Sequence, residues 1–405
     1  MRVIVINDHG YINGGAAQVA ITSLNALAEA GVDVTFIYGV GPVDPTINLD
    51  LVNVITFDLY DLRGNPSRIN AAFSGIWNSC AAVRFKQVLT GFDPENTIIH
   101  IHSFVSSLSA SVIRVAIDQG FKIVYTCHDY FSVCPNGGLY NFKKSKHCKL
   151  KPMSFSCIIC NCDSRCYVYK IWRIARQAVQ TKFGHLQNGV KSFITVSNYS
   201  ESLIRALLPL TTRYFRIGNP IDADKVCPTD VGGCDAFTFI GRLSLEKGAV
   251  LFALAARLAG VKSVFVGCGD QEKNIRLVND TAEFLGWQDR VGVNNAIQTS
   301  RAIVFPSLLH EGQPLVVMEA AALGVPVIAS DECAAKDAII DGETGMLFRA
   351  RDTHDLVEKL KLLNNDPALA KKLGLRAYEL YWQTPNTLHS HVREVMNCYS
   401  KVLKD

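Results

Sequence analysis

The sequence has 405 residues, more than one ordinary hydrophobic core accommodates, so we expect two domains. Hydrophobic residues make up 48% and charged residues 19%, a balance that excludes a largely disordered chain. The formal net charge of +4 is too small for a nucleic-acid-binding protein, and we expect no nucleic-acid partner. The first residues enter an apolar strand pattern with no signal peptide, and no apolar stretch reaches the roughly 20 residues of a membrane span. We therefore expect a cytoplasmic protein.

Short β-branched segments alternate with longer amphipathic stretches along most of the chain. The predicted strands of the first series are Arg2–Asn7, Val34–Tyr38, Thr97–His102, Lys122–Cys127, Ser192–Val196 and Tyr214–Ile217. Those of the second series are Phe237–Gly241, Ser263–Gly267, Glu283–Gly286, Ala302–Pro306, Val325–Ala329 and Gly345–Phe348. Helical patterns such as Ala17–Ala30 lie between them. The alternation predicts an α/β protein with parallel sheets covered by helices on both faces.

A turn at Asn219 and Pro220 separates the two series of strands, because proline cannot continue a β-ladder. We therefore predict an N-terminal domain over residues 1–218 and a C-terminal domain over 219–387. Residues 388–403 predict a terminal helix, and its spacing leaves open whether it packs on the N-terminal domain.

The most informative segment of the second series begins at His310 and opens a helix. Proline suits the first turn of a helix, and glycine allows a ligand to approach the backbone. The unpaired N–H groups of that turn form an anion site. The site residues predicted here are Glu311, Gly312, Gln313, Pro314, Leu315 and Glu319. The two glutamates could bind hydroxyl groups, or they could be a capping residue and a surface acid.

Two earlier loops of the same series carry compatible chemistry. Arg242 can bridge two phosphate oxygens, and Lys247 adds a second positive charge in the loop after the first strand. Gly267 and the residues up to Gly269 end the next strand and permit close backbone approach. Three loops at the carboxyl ends of parallel strands are where open α/β sheets bind their ligands.

These segments resemble the retaining glycosyltransferases of family 4, which have the GT-B fold of two facing Rossmann-like domains with a cleft between them. The resemblance covers nearly the whole chain. Its motifs are Gly14-Gly15-Ala16, Tyr125 to Tyr130, Val196-Ser197, Asn219 to Asp222, Gly241-Arg242 with Lys247-Gly248, and Glu311 with Glu319 followed by Gly324 to Val327. The implied reaction is transfer of a hexosyl unit from a GDP- or UDP-linked sugar, as in cell-surface polysaccharide or O-antigen assembly.

The resemblance implies a role for each matching residue. Arg242 and Lys247 would bind the donor diphosphate and stabilise the leaving group. Glu311 would bind the transferred sugar, Glu319 the ribose, and the amides from Gly312 to Leu315 would complete the cradle. The base would lie near Gly267–Gly269 and Trp287. Because an arginine and a lysine already offset the diphosphate charge, we expect no catalytic metal, and the metal-binding reading of Asp222-Ala223-Asp224 is disfavoured.

The N-terminal half supplies the remaining predicted site residues. Gly14 and Gly15 follow the first strand, where a bulkier loop would block the donor phosphate. The histidine that matches the family's, His128, would face the reacting sugar and the acceptor. His100 and His102 end the preceding strand two residues apart, and a structural role is favoured for both.

An insertion over about residues 134–166 is rich in cysteine. Cys148, Cys157, Cys160 and Cys162 could share one structural zinc ion, with Cys134 as another candidate ligand; unliganded thiols, an iron–sulfur cluster or disulfides are the alternatives.

Ten basic residues and one acid lie between Asn141 and His185, which suggests a peripheral position on an anionic, cytoplasmic membrane face and a saccharide or lipid-linked acceptor. The alternatives are a sugar-nucleotide epimerase, a dinucleotide dehydrogenase and a zinc-stabilised binding module. The Arg–Lys loop with the paired glutamates disfavours the epimerase and the binding module, and the first loop lacks the full glycine fingerprint of a dehydrogenase.

Overall fold

The structure is a computed structural model that describes residues 1–221 and 223–404. The strands are β1 (Arg2–His9), β2 (Asp33–Val40), β3 (Val52–Thr56), β4 (Thr97–Ile101), β5 (Lys122–Cys127), β6 (Tyr140–Asn141), β7 (Lys146–His147), β8 (Ser192–Thr195), β9 (Arg213–Arg216), β10 (Ala236–Ile240), β11 (Lys262–Val266), β12 (Glu283–Gly286), β13 (Ser300–Phe305), β14 (Val327–Ser330) and β15 (Gly345–Phe348).

The helices alternate with these strands along the chain. They are α1 (Gly15–Glu29), α2 (Arg68–Ile76), α3 (Ser79–Leu89), α4 (Ser111–Asp118), α5 (Phe155–Ile159), α6 (Tyr167–Lys182), α7 (Leu186–Gly189), α8 (Asn198–Arg205), α9 (Ala249–Ala259), α10 (Glu272–Val278), α11 (Arg290–Gln298), α12 (Leu315–Ala322), α13 (Thr353–Asn365), α14 (Pro367–Gln383) and α15 (Leu388–Leu403).

The chain forms two compact units. The first contains residues 1–143, 148–220 and those from 386 onward, and the second contains Lys144–His147 and Ile221–Pro385. Each unit has one parallel sheet, with strand order β3-β2-β1-β4-β5-β8-β9 in the first and β12-β11-β10-β13-β14-β15 in the second. The predicted α/β class with two Rossmann-like halves is confirmed.

The apolar strand segments explain why both sheets are covered on both faces. In β1 the residues from Val3 to Ile6 are all at most 1% exposed, so side chains of both alternating sets are buried. In the second unit Phe237 and Phe265 lie on neighbouring strands of one core that also contains the apolar face of α9. Continuous apolar strands of this kind require helices on both sides of the sheet.

The terminal helix α15 belongs to the first unit. Val392, Val395 and Tyr399 of this helix join the core formed by β1, β2 and α1. The Ser23 hydroxyl of α1 lies 2.8 Å from Nε2 of His391, so the contact is polar as well as apolar. The last described helix of the chain therefore completes the core that the first strand begins.

Candidate functional site

The carboxyl ends of three adjacent strands form one edge of the second sheet. The loops that follow β11, β10 and β13 lie side by side there, because these strands are neighbours in that order. The chain connects β10 to β11 on one side and returns to β13 on the other, so the strand order reverses between β10 and β13. Ligands of open α/β sheets bind at such a reversal, beyond the carboxyl ends of the strands.

Backbone contacts hold these three loops together. The Leu243 N–H donates to the Cys268 carbonyl (3.0 Å), and the Leu308 N–H donates to the Glu246 carbonyl (2.9 Å). Gly248 has a φ of +75°, and a Cβ at this position would lie 2.1 Å from the Pro306 carbonyl oxygen. The glycine thus permits the loop after β10 to approach the loop after β13.

The close approach at Gly248 predicts a large loss of stability for Gly248→Ala. A positive φ alone costs a non-glycine residue about 1–2 kcal/mol, and steric overlap in a packed site adds roughly 1–3 kcal/mol. Gly260 is the matched control, because its φ is +69° but no atom lies within 4 Å of its added Cβ. Urea unfolding should therefore show a clearly larger loss for Gly248→Ala than for Gly260→Ala, and equal losses would contradict the contact.

An ion pair joins two of the predicted site residues. Lys247 Nζ lies 2.8 Å from Oε1 and 3.0 Å from Oε2 of Glu311, and the Ser307 hydroxyl also donates to Oε1. Both charged side chains are largely buried, with 23% and 14% of their surfaces exposed. Glu311 has a φ of +57°, a left-handed conformation that is unusual for glutamate. Strained backbone of this kind is concentrated at functional sites.

The helix α12 begins directly after this loop. Pro314 is its N-cap residue and Leu315 its first helical residue, so the amide groups of Leu315 and the next residues open the helix. Glu319 lies within the helix, where burial raises the pKa of its carboxyl group and the neighbouring Arg290 offsets part of that effect. Gly324, with a φ of +75°, follows the C-cap residue.

The remaining predicted residues of this unit lie in the same set of loops. Arg242 is exposed, and its guanidinium lies 3.7 Å from the Glu246 carboxylate, a loose pairing that a phosphate could replace. Gly267 follows β11, and its N–H donates to the Gly286 carbonyl (2.7 Å) at the end of β12. Trp287 comes next and is 75% exposed, which leaves its ring available for stacking.

Sequence reasoning missed two polar side chains beside Glu311. Ser307 directly follows the residue after β13, and its position at a strand end was a usable signal. The ring of His147 stacks on that of His310, with centroids 3.7 Å apart, and a ring nitrogen lies 2.9 Å from the Leu308 carbonyl oxygen. Nothing local marks His147, because it lies more than 150 residues earlier, within the cysteine-rich insertion.

The predicted residues of the first unit lie at the carboxyl ends of β1, β4 and β5. Gly14 is the N-cap residue of α1, and nothing lies within 4 Å of the position of an added Cβ. Gly15 is the first residue of that 15-residue helix. The loop after β1 therefore keeps open space at the amino end of a long helix, which favours anions.

Three histidines follow or end the central strands of the first sheet. His102 Nδ1 lies 2.9 Å from His128 Nε2, and the two rings are stacked. His100 lies 2.6 Å from both the Tyr399 hydroxyl and the Thr126 hydroxyl. His100 is therefore a structural link to α15, whereas His102 positions the ring of His128.

Acid should destabilise the first unit through its buried histidines. Burial lowers the pKa of His100 to about 3 and the pKa values of His128 and His391 to about 4, from an ordinary value of 6.5. As the pH falls below 6.5, the unfolded chain therefore binds protons that the folded chain does not. The free energy of unfolding should fall by up to about 1.4 kcal/mol per pH unit for each histidine, until the pH nears 4.

Urea unfolding at a series of pH values between about 7 and 5 measures this effect. His100→Gln should make the dependence shallower. The control His354→Gln removes a histidine whose side chain is 81% exposed and should leave the slope unchanged. A stability that does not vary over this range would contradict the assignment of neutral, buried rings.

Several cysteines of the insertion contact nitrogen atoms of neighbouring side chains. Lys170, fully buried, lies with its ammonium 3.5 Å from the Cys157 sulfur. Burial alone would lower the pKa of Lys170, but the sulfurs of Cys162 and Cys157 outweigh that effect and raise it. A buried ammonium already supplies the positive charge among these sulfurs.

Asparagine side chains contact three of the other predicted ligands. Asn141 donates to the Cys160 sulfur (3.4 Å), and Asn136 donates to the Cys162 sulfur (3.2 Å) and accepts from Cys134 (3.1 Å). Among residues 1–221 and 223–404, no group of three or more histidine, cysteine or acidic side chains is placed to hold a metal ion. The predicted zinc site of Cys148, Cys157, Cys160 and Cys162, with Cys134, is therefore not supported.

Two further sequence expectations concern the metal triplet and the membrane. Asp222, the first residue of the Asp222-Ala223-Asp224 triplet, lies outside the described residues. No helix within the described ranges is both long enough and apolar enough to span a bilayer.

Solved structures with the same fold identify the fold of this chain. A sucrose-phosphate synthase from Thermosynechococcus elongatus matches with a TM-score of 0.73 at 19% identity, over 100% of this chain and 99% of that chain. Anabaena HepE in complex with UDP matches with a TM-score of 0.66 at 16% identity, over 99% and 100% of the two chains. Both similarities support the same GT-B fold of two Rossmann-like units.

Sequence comparisons agree with the fold. A 42.6 kDa protein of the Klebsiella pneumoniae cps region is 24% identical over 66% of each chain. A glycogen synthase from Mycobacterium tuberculosis is 30% identical over 38% of this chain and 41% of its own. The match thus spans less than two thirds of the length of these relatives. Residues 233–380 match the family described as glycosyl transferases group 1, and residues 13–225, more than half of the chain, match Glycosyltransferase Family 4. The chain belongs to glycosyltransferase family 4.

Proposed function

We propose that this protein transfers a hexosyl unit, with retention of configuration, from a nucleoside diphosphate sugar to a saccharide or lipid-linked acceptor. The observation that carries the proposal is the Lys247–Glu311 ion pair at the reversal of strand order, next to the opening of α12. A cation, a carboxylate and the amide groups that open a helix, all at one sheet edge, match the charges and hydroxyls of a sugar diphosphate.

In the proposed mechanism the second unit binds the donor. Arg242 and Lys247 contact the diphosphate, and the backbone N–H groups of Gly312, Gln313 and Leu315 donate to phosphate and sugar oxygens. Glu311 accepts hydrogen bonds from the transferred sugar, and Glu319 accepts hydrogen bonds from the ribose. Lys247 forms an ion pair with Glu311 in this structure, so the same ammonium can bridge the sugar-binding carboxylate and the diphosphate. Gly267 and Trp287 contact the base in this proposal.

The chemistry proceeds on one face of the sugar. The bond between the anomeric carbon and the diphosphate oxygen breaks, and a bond from the anomeric carbon to the acceptor oxygen forms on the same face. The acceptor hydroxyl proton passes to the departing phosphate oxygen, whose charge Arg242 and Lys247 offset. Glu311 stays unmodified throughout, so intact-protein mass spectrometry during turnover should reveal no glycosyl adduct on this residue.

His128 acts in the proposal as a neutral hydrogen-bonding group towards the reacting sugar and acceptor. Its pKa of about 4, lowered by burial, keeps the ring uncharged at neutral pH. Gly14 and Gly15 leave room for the donor phosphate, as the open space around Gly14 allows. The similarity to a cps-region protein supports a role in cell-surface polysaccharide assembly.

A thermal-shift screen against UDP, GDP and ADP and their sugar conjugates tests the proposal. One base should raise the melting temperature by several degrees at saturating ligand, because a ligand that binds only the folded state stabilises it by about 2.7 kcal/mol at a hundred times its Kd. The sugar conjugate of that base should be the donor in a glycosyl-transfer or donor-hydrolysis assay. The absence of a shift with every nucleotide would overturn the donor site.

A further inference from the structure

A second site with its own chemistry lies within the first unit. It is a cavity of about 740 Å³ between the loop before α2, the loop before α6, and these two helices. Its lining includes five arginines, which are Arg63, Arg68, Arg165, Arg173 and Arg176. We call this the arginine cavity. None of the predicted donor-binding residues lines it.

The charges of the arginine cavity are unbalanced. Asp163, which is fully buried, pairs with Arg173 (3.0 Å) and lies 3.7 Å from Arg165. Arg63 and Arg68 are exposed and form no ion pair within the described part of the chain. Asp61 is the one acid among the described lining residues. Such an excess of guanidinium groups in a concave surface attracts an anion.

Arg176 is the buried member of the set. It is 5% exposed, and its Nε has no hydrogen-bond acceptor among the residues described here. Its guanidinium lies over the Phe131 ring (4.7 Å) and the Trp172 ring (5.1 Å), and burial and Arg173 lower its pKa to about 10. A buried, under-satisfied cation in a cavity wall is stabilised by an anion that enters the cavity.

The two helices that wall the arginine cavity also carry exposed apolar side chains, one of which, Val168, lines the cavity itself. Ile69 and Phe73 are 69% and 71% exposed, one turn apart on α2, while Val168 and Ile171 are 73% and 52% exposed, one turn apart on α6. We call these four side chains the apolar rim. Gly75 allows the two helices to pack closely, because a Cβ there would lie 2.7 Å from the Trp172 ring. Exposed apolar groups concentrated beside a polar site mark a binding surface.

We propose that the arginine cavity binds the phosphate group of a lipid-linked acceptor, whose hydrocarbon chain lies along the apolar rim. This inference deepens the proposed function and rests on it, since it assigns the acceptor a chemical class: an amphiphile with a phosphate or diphosphate next to its lipid. Arginine forks bind phosphate oxygens bidentately.

Direct binding of dodecyl phosphate, below its critical micelle concentration, tests the assignment in the full chain. Isothermal titration should show dodecyl phosphate binding at least about tenfold more tightly than inorganic phosphate or a neutral dodecyl polyoxyethylene ether, because only the first ligand engages both surfaces. The double variant Arg63→Gln/Arg68→Gln should weaken dodecyl phosphate binding by about tenfold or more. Ile69→Ser/Phe73→Ser should weaken dodecyl phosphate binding and leave inorganic phosphate binding unchanged.

The control Lys86→Gln/Lys191→Gln also removes two positive charges, but from exposed positions outside the cavity. It should bind dodecyl phosphate as tightly as the unmodified protein does. Dodecyl phosphate that binds no more tightly than inorganic phosphate would point to a water-soluble phosphorylated ligand and overturn the proposal. So would binding that is unaffected by the arginine substitutions. The nucleotide thermal shift, measured on the same variants, should be retained, so a failure of the acceptor assignment is distinguishable from a failure of the donor site.

Discussion

Lys247→Ala should lower kcat/KM for the donor by about a hundredfold or more and should abolish the nucleotide thermal shift. Its ammonium is the cation that lies on the Glu311 carboxylate, and removing a preorganised group that stabilises developing charge costs a factor of about 100–1,000 in kcat. Donor hydrolysis or glycosyl transfer by the purified variant, with the base identified by the thermal-shift screen, measures the effect.

Lys262→Ala is the matched control for this substitution. It also removes a lysine from an ion pair of the second unit, with Glu283 at 3.3 Å, but Lys262 begins β11 at the opposite end of the strand from the site loops. Its catalytic constants should stay within about twofold of the unmodified values, because exposed ion pairs contribute little. A Lys247→Ala protein that keeps the nucleotide shift would refute the assignment of the diphosphate site.

Glu311→Gln should lower kcat without weakening the binding of the free nucleotide. The amide keeps the size of the side chain but loses the charge that pairs with Lys247, so kcat should fall by about a hundredfold if the carboxylate binds the sugar in the transition state. Affinity for the free nucleoside diphosphate should stay the same or rise severalfold, because a negative charge is removed next to the lysine that contacts the phosphates. Single-turnover kinetics and nucleotide titration measure the two effects separately.

Glu283→Gln provides the corresponding control, since Glu283 is an acid of the same unit whose lysine partner lies at the start of β11. Neither kcat nor nucleotide affinity should change with it. If Glu311→Gln weakened nucleotide binding in proportion to kcat, Glu311 would be a structural support of the lysine and not the group that binds the transferred sugar.

The strand and helix pattern of this protein could be predicted from sequence because both sheets are buried on both faces. Continuous apolar segments such as that of β1 are strong signals, and the predicted bounds differ from the observed ones by one or two residues at most ends. The strand β3 was missed because Val52–Thr56 has only one buried residue and two exposed ones. A partly exposed edge strand has no continuous apolar pattern to detect.

The contacts of the cysteines and the burial of the nearby basic residues could not be predicted from sequence. The spacing of Cys157, Cys160 and Cys162 is compatible with a metal site, but spacing does not reveal that Asn141 and a buried lysine contact these sulfurs. The ten basic residues between Asn141 and His185 suggested an exposed, positively charged surface, yet Lys170 and Arg176 are buried. Burial of a long cationic side chain depends on partners that lie far away in the sequence.

The position of α15 has a consequence for the order in which this chain folds during synthesis. The core residues of the second unit, between Ile221 and Pro385, are all made before Val392, Val395 and Tyr399, which complete the core around β1. On the ribosome, the second unit therefore has all of its core residues before the first unit does. Until α15 is made, part of the sheet of the first unit stays uncovered. Chaperones that bind exposed apolar strands would meet the N-terminal unit in that interval.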